Sequence, residues 1–198
     1  LMRQTGFERL CGLANAVMRR LTRDGEILLA NTHDAENLPD WLRRSWQHYW
    51  GDAATNTIAG LAMLPPPLDI SVTKDAAAWA EKLDGHVLDG YTIRRKFDGD
   101  PAKLPGFADG AWWVQDAAAA VPARLLGKLE GKQVIDLCAA PGGKTAQLIA
   151  SGANVTAIDN NRKRLDRLRR NLKRLNMPAK LVLSDGRHFV PDASVDAI

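Results

Sequence analysis

The sequence predicts an α/β protein: a parallel sheet flanked by helices in its carboxyl-terminal part, preceded by a small α+β region and a helical segment. Two observations predict it. From Val134 onward, short apolar runs alternate with helical segments in the order strand, glycine turn, helix, strand, helix, strand. Strands that alternate with helices pair in parallel, because each helix returns the chain to the same end of the sheet. Upstream, apolar residues recur at helical spacing as far as Pro65-Pro66-Pro67, after which strand and helix patterns mix.

Phe7, Leu10, Ala14, Val17, Met18 and Leu21 follow the spacing of an amphipathic helix over residues 7–22. One helix cannot bury its own stripe, so its partners are expected upstream. Residues 23–37 are polar and turn-rich and are expected to form a linker. Helices over 39–50 and 52–63 follow, divided at Gly51, with Trp41, Trp46, Tyr49 and Trp50 expected to pack between them. The three prolines stop the helical region, since proline lacks the amide hydrogen and fixes φ. Residues 68–72 and 91–95 read as strands around a helix over 75–83. Residues 98–110, rich in Gly, Pro and Asp, read as a loop. Residues 112–114 read as a strand entering a helix over 116–126, with Pro122 in its middle.

The parallel part begins with a strand at 134–137 and a helix at 144–150, ended by Gly152. A second strand at 155–158 closes on Asp159. Leu165, Leu168, Leu172 and Leu175 then mark a helix with one buried stripe, stopped near Asn176-Met177-Pro178. A third strand covers 180–183, and residues 195–198 open a fourth.

Hydrophobic residues make up 45% of the 198-residue chain and charged residues 25%, a balance that excludes a fibrous or largely disordered protein. No stretch reaches the roughly 18 uncharged apolar residues of a membrane span. Two cysteines, Cys11 and Cys138, are too few for a disulfide framework, and no signal peptide is visible, so a reducing cytoplasm is expected. Cys11 is expected to pack on its helix. Histidines 33, 48, 86 and 188 lack ligand spacing and no metal is expected, although His188 lies near Asp185. The chain opens at Leu1 and stops in an apolar run before any turn signal, as expected of a piece of a longer protein.

The net charge is +4, unevenly spread. Residues 162–174 hold eight basic side chains and one acid, Asp166; Arg19-Arg20, Arg43-Arg44 and Arg94-Arg95-Lys96 are smaller clusters. Together they favour a polyanionic partner such as RNA. One of Trp112 and Trp113 is expected in the core and the other on a lid or interface, where an indole can stack on an RNA base.

Ligands of open α/β sheets bind at the carboxyl ends of the strands. There Asp136-Leu137-Cys138-Ala139-Ala140-Pro141-Gly142-Gly143-Lys144-Thr145 joins strand to helix. Small residues allow close approach, and the following helix amino terminus offers free N–H groups to a carboxylate or phosphate. Asp159, 23 residues after Asp136, is placed to take both ribose hydroxyls of a nucleotide and to repel a 2′-phosphate. Asp185 ends the third strand, where a carboxylate can accept a hydrogen bond from an adenine amino group. Three nucleotide readings compete. The G-x-G-x-x-G of dinucleotide folds is absent. A P-loop nucleoside triphosphatase would use Gly143-Lys144-Thr145, but Cys138 stands at its first glycine. S-adenosylmethionine suits the acid-rich strand tips at both its adenosine and methionine ends. A non-catalytic RNA-binding module is the alternative from outside enzymes.

The stretch Asp136 to Thr145, DLCAAPGGKT, resembles the first motif of RNA cytosine-C5 methyltransferases of the RsmB/Sun (Fmu) type. Ala157-Ile158-Asp159 and Ser184-Asp185-Gly186-Arg187 are similar to the next two motifs, and Gly110 to Asp116 to the segment before that domain. Leu38 to Asp69 resembles the start of the family's RNA-recognition part, and Leu10 to Arg20 the last helix of its NusB-like domain. The resemblance implies a Rossmann-like S-adenosylmethionine-dependent methyltransferase sheet over 111–198, an α+β RNA-recognition region over 38–110, and a NusB-like remnant with linker over 1–37. It implies that Cys138, Ala139, Ala140, Pro141, Gly142, Gly143 and Lys144 line the cofactor site, with Asp159 at the ribose and Asp185 beside adenine. It also implies the reaction on ribosomal RNA: a cysteine thiolate adds to C6 of cytosine, C5 takes the methyl group, and loss of the C5 proton releases the enzyme. The family's two functional cysteines follow its fourth and fifth strands, beyond Ile198. Cys138 is neither, so no catalytic residue is expected within this chain and the piece alone is expected to be inactive.

Overall fold

A computed structural model of the chain describes residues 6–96 and 99–198. Position 98, the start of the expected loop, lies outside them, as do residues 1–5 of the expected NusB-like remnant. Contacts divide the chain into two compact units, one ending at Pro65 and one beginning at Pro66.

In the first unit a short 3-10 turn leads into α1 (Cys11–Ala30). The helix therefore runs eight residues past the expected end at 22, through half of the expected linker. Ile27-Leu28-Leu29-Ala30 continues the helix-forming pattern without a proline, and the helix stops where Asn31 and Thr32 turn their side chains back to the carbonyls of Ile27 and Leu28. No residue of α1 is buried, and Cys11 is only half-buried. After a 3-10 turn at Asp34–Asn37 comes α2 (Asp40–Ala62), broken at Gly51, where φ is 77° and ψ 170°. The two expected helices are thus the two halves of α2. The expected aromatic packing is not found: Trp41, Tyr49 and Trp50 are 72%, 74% and 56% exposed, and Trp46 leans on Trp50 at 5.6 Å between ring centroids. The buried residues of α2 are the small Thr55 and Ala59, beyond the kink, beside Gly60, where a Cβ would meet the Asp34 carboxylate of the turn.

The second unit contains two sheets. β1 (Leu68–Val72), α3 (Ala76–Lys82), β2 (His86–Val87), β3 (Thr92–Arg95) and β4 (Trp112–Val114) supply an antiparallel sheet in the order β2-β3-β1-β4. Every residue of β1 is buried, whereas both residues of β2 are exposed, which is why no apolar pattern marked that strand. α4 (Ala117–Arg124) starts on Asp116, whose carboxylate accepts from the amides of Ala118 at 2.8 Å and Ala119 at 3.1 Å.

β5 (Gln133–Leu137), α5 (Gly143–Ala150), β6 (Asn154–Asp159), α6 (Arg162–Leu175) and β7 (Lys180–Leu183) form the expected parallel sheet, ordered β5-β6-β7. The expected fourth strand is reduced to a bridge. Ala197 pairs with Val134 on the free edge of β5, accepting from the Ile135 amide at 3.0 Å. The chain thus builds outward from β5 on one side and returns to its other side.

Leu165, Leu168, Leu172 and Leu175 of α6 pack with Ala157 of β6, Ala146 of α5 and Trp113. Full burial of one leucine stabilises by about 1.5–3 kcal/mol. Trp112 and Trp113 are 0% and 5% exposed, so neither takes the expected lid or base-stacking position. Trp112 lies in the antiparallel core and donates to the Pro105 carbonyl. Trp113 donates to Gln115, which also receives the Ser71 hydroxyl and donates to Gln147 of α5, so polar bonds tie β1 and β4 to that helix.

Candidate functional site

The turn after β5 is shaped by its small residues. Cys138 adopts a left-handed conformation at φ 58°, the Ala140–Pro141 peptide is cis, and Gly142 has φ 109°. A Cβ at Gly142 would collide with Leu168 of α6, so glycine lets the turn close onto the helix below.

Three strand ends meet at one cavity of about 350 Å³, lined by Leu137, Cys138, Ile158, Asp159, Asn160 and the segment Ser184 to Arg187. Cys138, Asp159 and Asp185, expected from the sequence at one site, share it. The rest of the glycine turn is distributed differently. Pro141, Gly142 and Gly143 line a second cavity of about 370 Å³ with Phe107, Trp113, Asn171 and Arg174. Ala139 is buried, Ala140 half-buried, and Lys144 exposed. His188 is exposed, and its amide bonds the Asp185 carbonyl.

Asp159 is buried, yet its carboxylate is well supplied with donors. The amides of Asn161 and Ala140 approach at 2.9 and 3.3 Å, and the Arg164 guanidinium at 3.0 Å. The Ala140 bond links the turn to the end of β6. Asp185 is held by Arg187 through its amide at 2.9 Å and its guanidinium at 2.6 Å; these bonds keep its carboxyl far below the usual carboxylate range, so it is an acceptor at any working pH. Asp136 lies beneath the turn, where burial pushes its pKa up, and it accepts from the Thr145 hydroxyl at 2.5 Å.

That last bond counts against the P-loop reading. A P-loop threonine presents its hydroxyl to a metal-bound phosphate. Here Thr145 is fully buried and its hydroxyl is bonded to Asp136. Among the described residues no group of three His, Cys, Asp or Glu side chains is disposed to hold a metal ion, and no helix is long and apolar enough to cross a membrane.

Sequence reasoning did not single out Leu137, Ile158, Asn160, Ser184 or Arg187 as cavity residues, nor Arg164 as a partner of Asp159. Position was the available signal: the first four adjoin a strand-end residue already chosen, Arg187 lies two beyond Asp185, and Arg164 stands in the first turn of α6.

The parallel sheet, its order about β5 and its strand-end cavity are those of a Rossmann-like α/β fold. Two solved structures from Pyrococcus horikoshii share it: a methyltransferase homologue protein, at TM-score 0.65 and 23% identity over 77% of this chain and 54% of that one, and NSun6 solved with SFG, at 0.66 and 18% over 75% and 66%. Residues 123–198 match the family described as 16S rRNA methyltransferase RsmB/F. Ribosomal RNA small subunit methyltransferase B of Pseudomonas putida is 38% identical over 89% of this chain and 44% of its own length. The protein of that name from Klebsiella pneumoniae subsp. pneumoniae is 35% identical over 90% and 45%. The chain thus spans less than half the length of these relatives, and these matches are of the kind its motifs resemble.

Proposed function

We propose that the protein carrying this chain methylates cytosine C5 in ribosomal RNA, with S-adenosylmethionine as methyl donor, in the cytoplasm. The observation that carries the reading is the convergence of Cys138, Asp159 and Asp185, from three successive strand ends, on one cavity. The relatives' name supplies the substrate class.

The cavity residues fit the cofactor. Asp159 offers a carboxylate to ribose hydroxyls, Asp185 a carboxylate acceptor on the adenine side, and Leu137 and Ile158 apolar walls. The bound cofactor would supply an electrophilic methyl group. What the chain's own residues do is bind and orient. The Ala140 amide holds the turn against Asp159, and Arg164 balances the charge of Asp159. Residues 38–110 are assigned to RNA recognition and residues 1–37 to a NusB-like remnant and linker, as part of the same proposal.

Titrating S-adenosylmethionine into the full-length protein by calorimetry tests the reading. Asp159→Ala should weaken binding at least tenfold, since it removes the acceptor for both ribose hydroxyls, each charge-assisted bond contributing about 1.5–3 kcal/mol. Binding unaffected by that change would overturn the assignment.

A further inference from the structure

The outer face of α6 carries charge that the fold does not use. Its eight basic residues and one acid amount to seven positive charges net, more than the +4 of the whole chain. Three of the eight are engaged inside the protein: Arg164 with Asp159, Arg169 with Asp166, and Arg174 with the carbonyls of Phe107 and Trp112. Lys163, Arg167 and Arg170 stand at i, i+4 and i+7, all exposed, on the side of the helix away from its buried leucines.

This stripe works against the helix that bears it. Like charges one turn apart repel. Arg162 and Lys163 add positive charge to a first turn without an acid, where the helix dipole opposes it. A surface kept only for solubility intersperses both signs. Local rules broken in this way, with no compensating contact among the described residues, mark surfaces that bind something.

We propose that the Lys163–Arg167–Arg170 stripe is a contact for the phosphate backbone of the RNA. The inference rests on the reading that the protein acts on ribosomal RNA, and adds where that RNA is held. The three charges spread over about 10 Å of helix, at 1.5 Å per residue, and line neither of the two cavities described above, so they suit a row of phosphates rather than one bound anion. The row begins beside Arg164, the residue that reaches Asp159 in the cavity, so RNA lying on it reaches the rim of the candidate cofactor site. Such contacts position the RNA without reading its sequence.

The test uses the full-length protein and protein-free small-subunit ribosomal RNA, with binding measured at several salt concentrations. K163Q/R167Q/R170Q should lower the slope of log affinity against log salt by about 2–3, at roughly 0.7–0.9 per lost phosphate contact, whereas K163R/R167K/R170K should keep the wild-type slope. Affinity for S-adenosylmethionine should stay within twofold in both. An unchanged slope in the glutamine variant overturns the proposal, and loss of binding to phosphatidylserine vesicles alone would transfer the stripe to a membrane and overturn it equally. Removing mutual repulsion should leave the melting temperature unchanged or raised. If the triple variant melts lower, the three single variants decide, each expected to lose about 0.7–0.9 of slope. Failure of the wild-type protein to bind S-adenosylmethionine would defeat the methyltransferase reading and leave the salt slopes to judge the stripe separately.

Discussion

Asp136 is an acid held where charge is costly. Burial raises its pKa above the ordinary carboxylate value, while Thr145 and the charge of Lys144 pull it down. A carboxyl raised in the folded state stabilises most while protonated, at pH below its unfolded value near 4, and loses that contribution as pH rises through its folded value. Asp136→Asn stays neutral and keeps an oxygen to accept from Thr145. It should therefore melt progressively higher than wild type, by a few degrees, as pH is raised from about 4 to 8. Thermal melts across that range check this, and a difference that does not grow with pH would refute it. At this scale the sequence was legible in residue type and less so in role. DLCAAPGGKT marked the turn, but only the structure separates its buried acid from the face bearing Cys138. Pairwise partners such as Arg164 with Asp159 arise from the pitch of α6 against the end of β6, a relation that spacing alone does not state.

Among the elements, the β1–β3 pair shows how one ion pair fixes a register. Asp69 and Arg94 face each other across the strands, and the guanidinium meets both carboxylate oxygens at 2.8 Å. The Asp69 carboxylate also accepts from the Ala117 amide, the first of α4, so the same buried group seats that helix on the sheet. Arg94→Ala would leave Asp69 with that amide alone and should cost about 2–3 kcal/mol, below the figure for a fully buried pair because Arg94 is partly exposed. The Arg94 contact holds the Asp69 carboxyl below its ordinary range. The pair's stability is therefore complete at neutral pH and falls as pH drops below about 4 through the depressed value. Denaturant titrations at pH 7 and pH 3 should show the variant's deficit shrinking at the lower pH, and an equal deficit at both would count against the pair. Strands β1, β3, β5, β6 and β7 were all legible because apolar runs and turn residues agreed on them. α1 was read short because Arg23, Asp24 and Gly25 resemble a linker, while the apolar residues behind them carry the helix on. β2 left no trace, since two exposed residues paired through backbone atoms need no pattern.

For the molecule as a whole, what matters is where the strand order turns back. β6 and β7 add to one edge of β5, and the segment around Ala197 takes the other, so the candidate cavity opens beside the strand at which the order reverses. Ligands of α/β sheets collect at that place because the chains leaving the two neighbouring strands diverge and open a crevice. The sequence announced the parallel sheet but overstated its last member, because an apolar run of four residues says nothing of how many ladder bonds it makes. The polar residue in that run does the anchoring. Asp196 accepts from the Gln133 amide at 2.8 Å and from Lys132 at 3.0 Å, and its own amide bonds the Gln133 carbonyl. Asp196→Ala should therefore loosen the segment from β5. Amide hydrogen exchange at Gln133 and Ile135 should quicken at least fivefold, while Ala157 and Ile158 on β6, bonded within the parallel sheet, keep their protection. Unchanged exchange at Gln133 would mean that the segment is held by its apolar contacts alone. Faster exchange on β6 as well would mean that the bridge supports the whole sheet, and with it the strand ends that line the cavity.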